Sequence, residues 1–216
     1  MKTQRTIYHL IVDRSGSMSD CIDATINGFN EQINHIRSME TEFPEQDIRI
    51  GLSMFNTSTQ QLAVAEDLKN ATYLTRSNYV PAGGTALFDA IGQTALQLEE
   101  TFSRQGKLPT TFVVVILTDG YENSSKLFNL PQIRALIQRL EATEKWSFSY
   151  LGATLDAIEV ADSLSIRREN SIRFEKENMD SAVWNRLSGS MKNYLYKKKM
   201  GGDLSKFIDD ENTPNP

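Results

Sequence analysis

Six consecutive apolar residues, Phe112-Val113-Val114-Val115-Ile116-Leu117, constrain this chain more than any other segment. A run of that length, rich in β-branched side chains and closed by Thr118-Asp119-Gly120, has no polar face to offer water. It reads as a strand in the middle of a parallel sheet, covered on both sides. Ile7 to Val12 is apolar almost throughout, ends in Asp13-Arg14-Ser15-Gly16-Ser17, and reads as a second buried central strand.

The remaining periodicities fill in a sheet-and-helix alternation. Ile22, Ile26, Phe29, Ile33 and Ile36 recur at spacings of three and four, one face of an amphipathic helix. Ile48, Ile50, Leu52 and Met54 alternate with Arg49, Gly51 and Ser53, which predicts a half-buried strand. Asn56-Thr57-Ser58 is turn chemistry, and Gln61 to Ala65 can return as an antiparallel edge. Thr85 to Arg104 reads as a second long helix with Leu87, Ile91, Leu98 and Phe102 inward, and Ile133, Leu136, Ile137 and Leu140 mark a third. Trp146, Phe148 and Tyr150 alternate as a strand, Thr154 caps a helix running to about Leu164, and Ser171 to Phe174 is a short last strand. Trp184, Leu187, Met191 and Leu195 give a closing helix stopped by Gly201-Gly202. The order predicts an α/β fold: a three-layer, doubly wound, mostly parallel six-stranded sheet with one antiparallel edge strand. Residues 1–202 are expected to form the domain, and 203–216, with Asp209-Asp210-Glu211 and two late prolines, a loosely held tail.

A chain of 216 residues suits one large domain. Its formal net charge of -5 argues against nucleic acid or an anionic membrane surface as partner. Cys21 is the single cysteine, so no intrachain disulfide can form, and the first apolar run is too short for a secretion signal or a membrane span. A cytoplasmic location is the expectation.

In an open parallel sheet, ligands bind beyond the carboxyl ends of the strands. Three segments place oxygen-bearing side chains there: Asp13-Arg14-Ser15-Gly16-Ser17, Gly83-Gly84-Thr85 and Thr118-Asp119-Gly120. Asp13, Ser15 and Ser17 alternate along a tight loop, so their oxygens can converge. The paired glycines let a second loop approach and present the Thr85 hydroxyl, and Asp119 adds a second carboxylate. Three hydroxyls and two carboxylates are hard donors, a set for Mg²⁺, Mn²⁺ or Ca²⁺ and not for zinc. An EF-hand is excluded, because the glycine is misplaced and Ala24 stands where a bidentate Glu is required.

Asp-x-Ser-x-Ser, a threonine in a Gly-Gly-Thr loop and then Thr-Asp-Gly resemble the metal-ion-dependent adhesion site of von Willebrand factor A (vWA) domains. Asp13, Ser15, Ser17, Thr85 and Asp119 match its five positions, and the resemblance covers roughly residues 5 to 200. The chain looks most like free-standing bacterial and phage members, including those associated with tellurite-resistance clusters. The resemblance implies a protein-binding domain without catalysis. In it the hydroxyls bind Mg²⁺ directly, the carboxylates act partly through water, and a partner's Asp or Glu fills the open coordination position. It also implies docking to an ATPase or kinase–phosphatase system. The alternative is a Mg²⁺-dependent phosphohydrolase of haloacid-dehalogenase type with Asp13 as nucleophile. That chemistry uses Asp-x-Asp, and here the second position is Ser15. His9 and His35 read as structural or solvated rather than catalytic, Cys21 as a small apolar residue, Lys197-Lys198-Lys199 as a solvated helix end, Phe88 as core, and Tyr121 as either core packing or an exposed rim contact.

Overall fold

The structure, a computed structural model, describes residues 2–104, 108–176 and 179–208. Its strands are β1 (Gln4–Asp13), β2 (Gln46–Phe55), β3 (Thr59–Asp67), β4 (Thr110–Thr118), β5 (Trp146–Gly152) and β6 (Ser171–Arg173). They form one sheet in the order β3-β2-β1-β4-β5-β6. Every neighbouring pair is parallel except β2 and β3, which make the antiparallel edge. The expected α/β architecture is the observed one.

The helices are α1 (Ile22–Glu42), α2 (Leu87–Arg104), α3 (Leu130–Glu141), α4 (Ala157–Ser163) and α5 (Trp184–Lys199). Side chains alternate across the central strands, so each face gathers its own core. Tyr8, Leu10 and Val12 meet Phe29 and Ile33 of α1 and Trp184, Leu187 and Met191 of α5 on one face. Ile7, Ile11, Val114 and Ile116 meet Ile91 of α2, Ile137 of α3 and Ala161 of α4 on the other. Among the described residues, no helix is long and apolar enough to cross a membrane.

Several expectations need correction. β2 is buried on both faces, not half-buried, because Gly51 and Ser53 face the layer that α2 covers. Their small size and polar pairing permit it: Thr94 Oγ1 donates to Ser53 Oγ (2.9 Å), which lies 2.8 Å from His9 Nε2. α2 begins at Leu87, because the Thr85 N–H and carbonyl are bound to the 123–124 segment. Thr154 precedes α4 through its carbonyl, which accepts the Ala157 N–H (3.2 Å), and not through a side-chain cap. Lys198 is not solvated. Its ammonium donates to Arg5 O (2.6 Å), Thr6 Oγ1 (2.9 Å) and Thr111 Oγ1 (2.9 Å), and burial pushes its pKa down to about 7. The segment expected to be loose from 203 is packed through Ile208, with Phe207 and Ile208 buried in the core. The Asn170 side chain replaces a strand partner there, accepting the Phe207 and Ile208 N–H groups (2.8 and 3.2 Å) and donating to Ser205 O (3.0 Å). Residues 209–216, with Asp209-Asp210-Glu211, lie outside the described residues.

Candidate metal centre

The two central strands position the site. From β1 the chain passes through α1 to β2 on one side, and from β4 through α3 to β5 on the other. Such a switch point leaves a crevice beyond the carboxyl ends of the two strands. The register pairs Val12 with Leu117, so Asp13 and Thr118 emerge side by side. Thr118 Oγ1 donates to Asp13 Oδ2 (2.6 Å), and the Ser15 N–H donates to Asp13 Oδ1 (2.6 Å), which folds the loop back over the strand end. Ser15 Oγ and Ser17 Oγ then lie 3.1 Å apart, and Ser17 Oγ donates to Asp119 Oδ1 (2.6 Å).

Thr85 comes from a third loop, pinned from both sides. The Gly16 N–H donates to Gly83 O (3.0 Å) and the Ala82 N–H to Arg14 O (2.9 Å). Gly83 has φ 77°, a left-handed backbone that favours glycine. On the other side, the Thr85 N–H donates to Asn123 Oδ1 (2.8 Å), and Thr85 O accepts the N–H groups of Asn123 and Ser124 (3.0 and 3.2 Å). Glu122 Oε2 accepts the Phe88 N–H (2.9 Å), and Asp89 accepts the N–H groups of Lys126, Leu127 and Phe128 (each 2.9 Å). These bonds staple the start of α2 to the loop that carries Asp119.

The structure brings all five sequence-predicted residues together. A Cβ placed on Gly120 would lie 3.2 Å from Thr85 Oγ1, 3.5 Å from Ser17 Oγ and 3.9 Å from Asp13 Oδ2. Oxygens from three separate loops therefore converge around one point, beside which Gly120 places no side chain. The donors are all oxygen and mostly neutral hydroxyls, a chemistry that fits a hard divalent ion.

The electrostatics are set by burial. Asp13 has no exposure, and burial pushes its carboxyl up to about 6 against the hydrogen bonds from Thr118 and Ser15 that favour the anion. Tyr79 OH donates to Asp13 O (2.7 Å) and holds the strand end. Asp119 also has a fully buried side chain, and its Oδ2 is met by the ammonium of Lys176. Lys176 Nζ donates as well to Ser17 O (2.9 Å). Burial works against its charge, yet Asp119 holds Lys176 above the ordinary lysine range.

Sequence reasoning did not find Lys176, Tyr79 or Asn123. Thr118 stands within the Thr-Asp-Gly segment, and the strand register alone would have shown it facing Asp13. Nothing local marks Lys176, which is 159 residues from Ser17.

No protein-family model matches the sequence, and no curated protein aligns with it significantly. Solved structures do match. The VWA domain of SpRpn10 superposes with a TM-score of 0.54 at 12% identity, covering 96% of this chain and 100% of that one. The fold is that of a vWA domain. The pilus adhesin SpaC from Lactobacillus rhamnosus GG, in an open conformation, gives a TM-score of 0.66 at 12% identity, over 90% of this chain and 30% of SpaC. The PilB minor pilin from Streptococcus sanguinis gives 0.60 at 14% identity, over 90% of this chain and 63% of PilB. This vWA-like chain thus spans less than two thirds of the pilin and adhesin chains it resembles.

Proposed function

We propose that this chain is a protein-binding module of vWA type, in which Asp13, Ser15, Ser17, Thr85 and Asp119 hold Mg²⁺, with Mn²⁺ or Ca²⁺ as substitutes. The observation that carries the reading is the convergence of Thr85 Oγ1, Ser17 Oγ and Asp13 Oδ2 on the space beside Gly120. When bound, the ion supplies an uncompensated positive charge that attracts an Asp or Glu carboxylate from a partner protein. The chain's own residues do the rest. Ser15, Ser17 and Thr85 offer neutral donors, while Asp119 anchors the Ser17 hydroxyl and Asp13 fixes the loop through the Ser15 N–H. The staples through Asp89 and Glu122 hold the loops in place before any partner arrives.

The phosphohydrolase alternative needs Asp13 as a nucleophile. Both Asp13 oxygens are already held, one by Ser15 N–H and one by Thr118 Oγ1, and the side chain is buried. That supports binding over catalysis. Exposed Val80, Tyr121 and Leu155 lie on loops at the same end of the sheet, and Tyr is frequent among residues that dominate interfaces. They support an acidic partner residue flanked by apolar neighbours. The single cysteine, buried and free, supports action in the cytoplasm, where the family resemblance points to an ATPase or kinase–phosphatase system.

Calorimetric titration with MgCl₂ tests the reading. The wild-type chain should bind the ion and Asp13→Ala should not. Equal binding by the two proteins overturns the assignment.

A further inference from the structure

One charged side chain at this site belongs to none of the three loops that define it. Lys176 lies between β6 and α5, and its side chain is 28% exposed. It reaches across to place its ammonium on Asp119 Oδ2 and on Ser17 O at 2.9 Å, with Asp20 Oδ2 4.0 Å away. The two Asp119 oxygens therefore face different ways. Oδ1 accepts from Ser17 Oγ, in the hydroxyl cluster, and Oδ2 faces the lysine. Asp119 has no exposed side-chain surface, so without Lys176 its charge would be buried with only hydroxyl support.

We propose that Lys176 is a positioning residue that sets the charge of the metal centre: it lowers the affinity for a divalent ion and leaves the ion-loaded site net positive towards an anionic partner. The proposal rests on the metal reading of the same site. With the exposed Asp20 screened by solvent, Asp13, Asp119 and Lys176 sum to one negative charge, and a divalent ion turns that into one positive charge. Without the lysine the same site would sum to two negative charges and become neutral on loading. A neutral loaded site attracts a carboxylate less, and a doubly negative empty one attracts the ion more. Lys176 also fixes Asp119 in the rotamer that presents Oδ1 to Ser17. A single neighbouring charge shifts an ionic equilibrium by roughly one to three powers of ten, and partial exposure places this one at the lower end, about tenfold.

The direction of the effect separates this role from a merely structural one. A lysine that only supported the loop would, on removal, loosen the site and weaken ion binding. A lysine that sets the charge would, on removal, strengthen it. Lys176→Gln removes the charge and keeps a hydrogen-bonding group for Ser17 O and Asp119, whereas Lys176→Arg keeps the charge. MgCl₂ titrations at fixed pH and ionic strength should show Lys176→Gln binding about tenfold tighter than wild type, with Lys176→Arg within about twofold. In a second readout, acetate titrated into the Mg²⁺-saturated proteins and followed by NMR should bind Lys176→Gln more weakly than wild type. Equal or weaker Mg²⁺ binding by Lys176→Gln overturns the charge-setting role and leaves the metal reading intact. If no variant binds Mg²⁺, the metal reading falls and this proposal falls with it.

Discussion

His9 sits in the middle of β1, 1% exposed, and its partners fix its tautomer. Val64 O can only accept, so Nδ1 (3.1 Å away) carries the proton, and Nε2 accepts from Ser53 Oγ at 2.8 Å. Ser53 in turn accepts from Thr94 Oγ1, so the network is complete with a neutral ring. Burial pushes the ring pKa from 6.5 down to about 4, with the bond to Val64 working the other way. Above pH 6.5 both folded and unfolded forms are neutral there and nothing is lost. As pH falls from 6.5 towards 4, the unfolded chain takes up a proton that the folded one refuses, and stability drops. A shift of about 2.5 pH units corresponds to about 3 kcal/mol. Denaturant unfolding of wild type and His9→Gln between pH 4 and 8 should show a stability difference that shrinks as pH falls below 6.5. A difference constant across that range refutes the buried neutral ring. The sequence set His9 apart from catalysis, as structural or solvated, but could not name Ser53 and Val64, which sit on β2 and β3. It named the five convergent oxygens because each lies in one of three short, glycine-marked segments, two at the ends of β1 and β4 and the third just before α2. Lys176 escaped because its contacts, to Asp119 and Ser17, are with residues far away in the sequence.

At the scale of elements, long unmixed patterns were legible and their edges were not. The apolar runs of β1 and β4 and the three-four spacing of α1 translate directly into buried surface. Burial of β2 on both faces was hidden, because Gly51 and Ser53 look like a polar face until α2 covers them. The start of α2 was hidden too, since Asn123 takes the Thr85 N–H. The packing of α1 against α5 gives a test with one substitution at two places. A Cβ on Gly28 of α1 would overlap the Trp184 indole, whereas one on Gly189 of α5 meets nothing within 4 Å. Gly→Ala in a helix gains up to about 1 kcal/mol from backbone entropy. Overpacking a fixed ring costs about 1–3 kcal/mol, and Trp184 O is itself held by Gln32 Nε2 at 2.6 Å. Gly189→Ala should therefore stabilise by up to about 1 kcal/mol, and Gly28→Ala should destabilise on balance. Thermal melts of the two variants read the signs. A gain in Gly28→Ala would mean that the α1–α5 contact is looser than the structure shows.

For the molecule as a whole, the question is whether the fold depends on its proposed ion. The two cores on either side of the sheet are built from apolar side chains of all six strands and five helices, and none of the five site residues belongs to them. The loops at the site are also fastened independently of any ion, through Asp89, Glu122, Asn123 and the Thr118–Asp13 bond. Lys176 further offsets the buried charge of Asp119. The chain should therefore fold fully with a chelator present. Mg²⁺ that binds only the folded form then adds stability by mass action, about 2.7 kcal/mol at a free concentration one hundred times its dissociation constant. For a chain of this size that is a rise in Tm of roughly 5–10 °C, growing with the logarithm of free ion and showing no plateau while binding is confined to the folded state. Asp13→Ala should melt at one temperature whatever the Mg²⁺ concentration. Scanning calorimetry across a Mg²⁺ series, with an EDTA sample as baseline, reads both results. Loss of the cooperative transition in EDTA would make the ion part of the fold, and an equal rise in wild type and Asp13→Ala would place the ion elsewhere on the molecule.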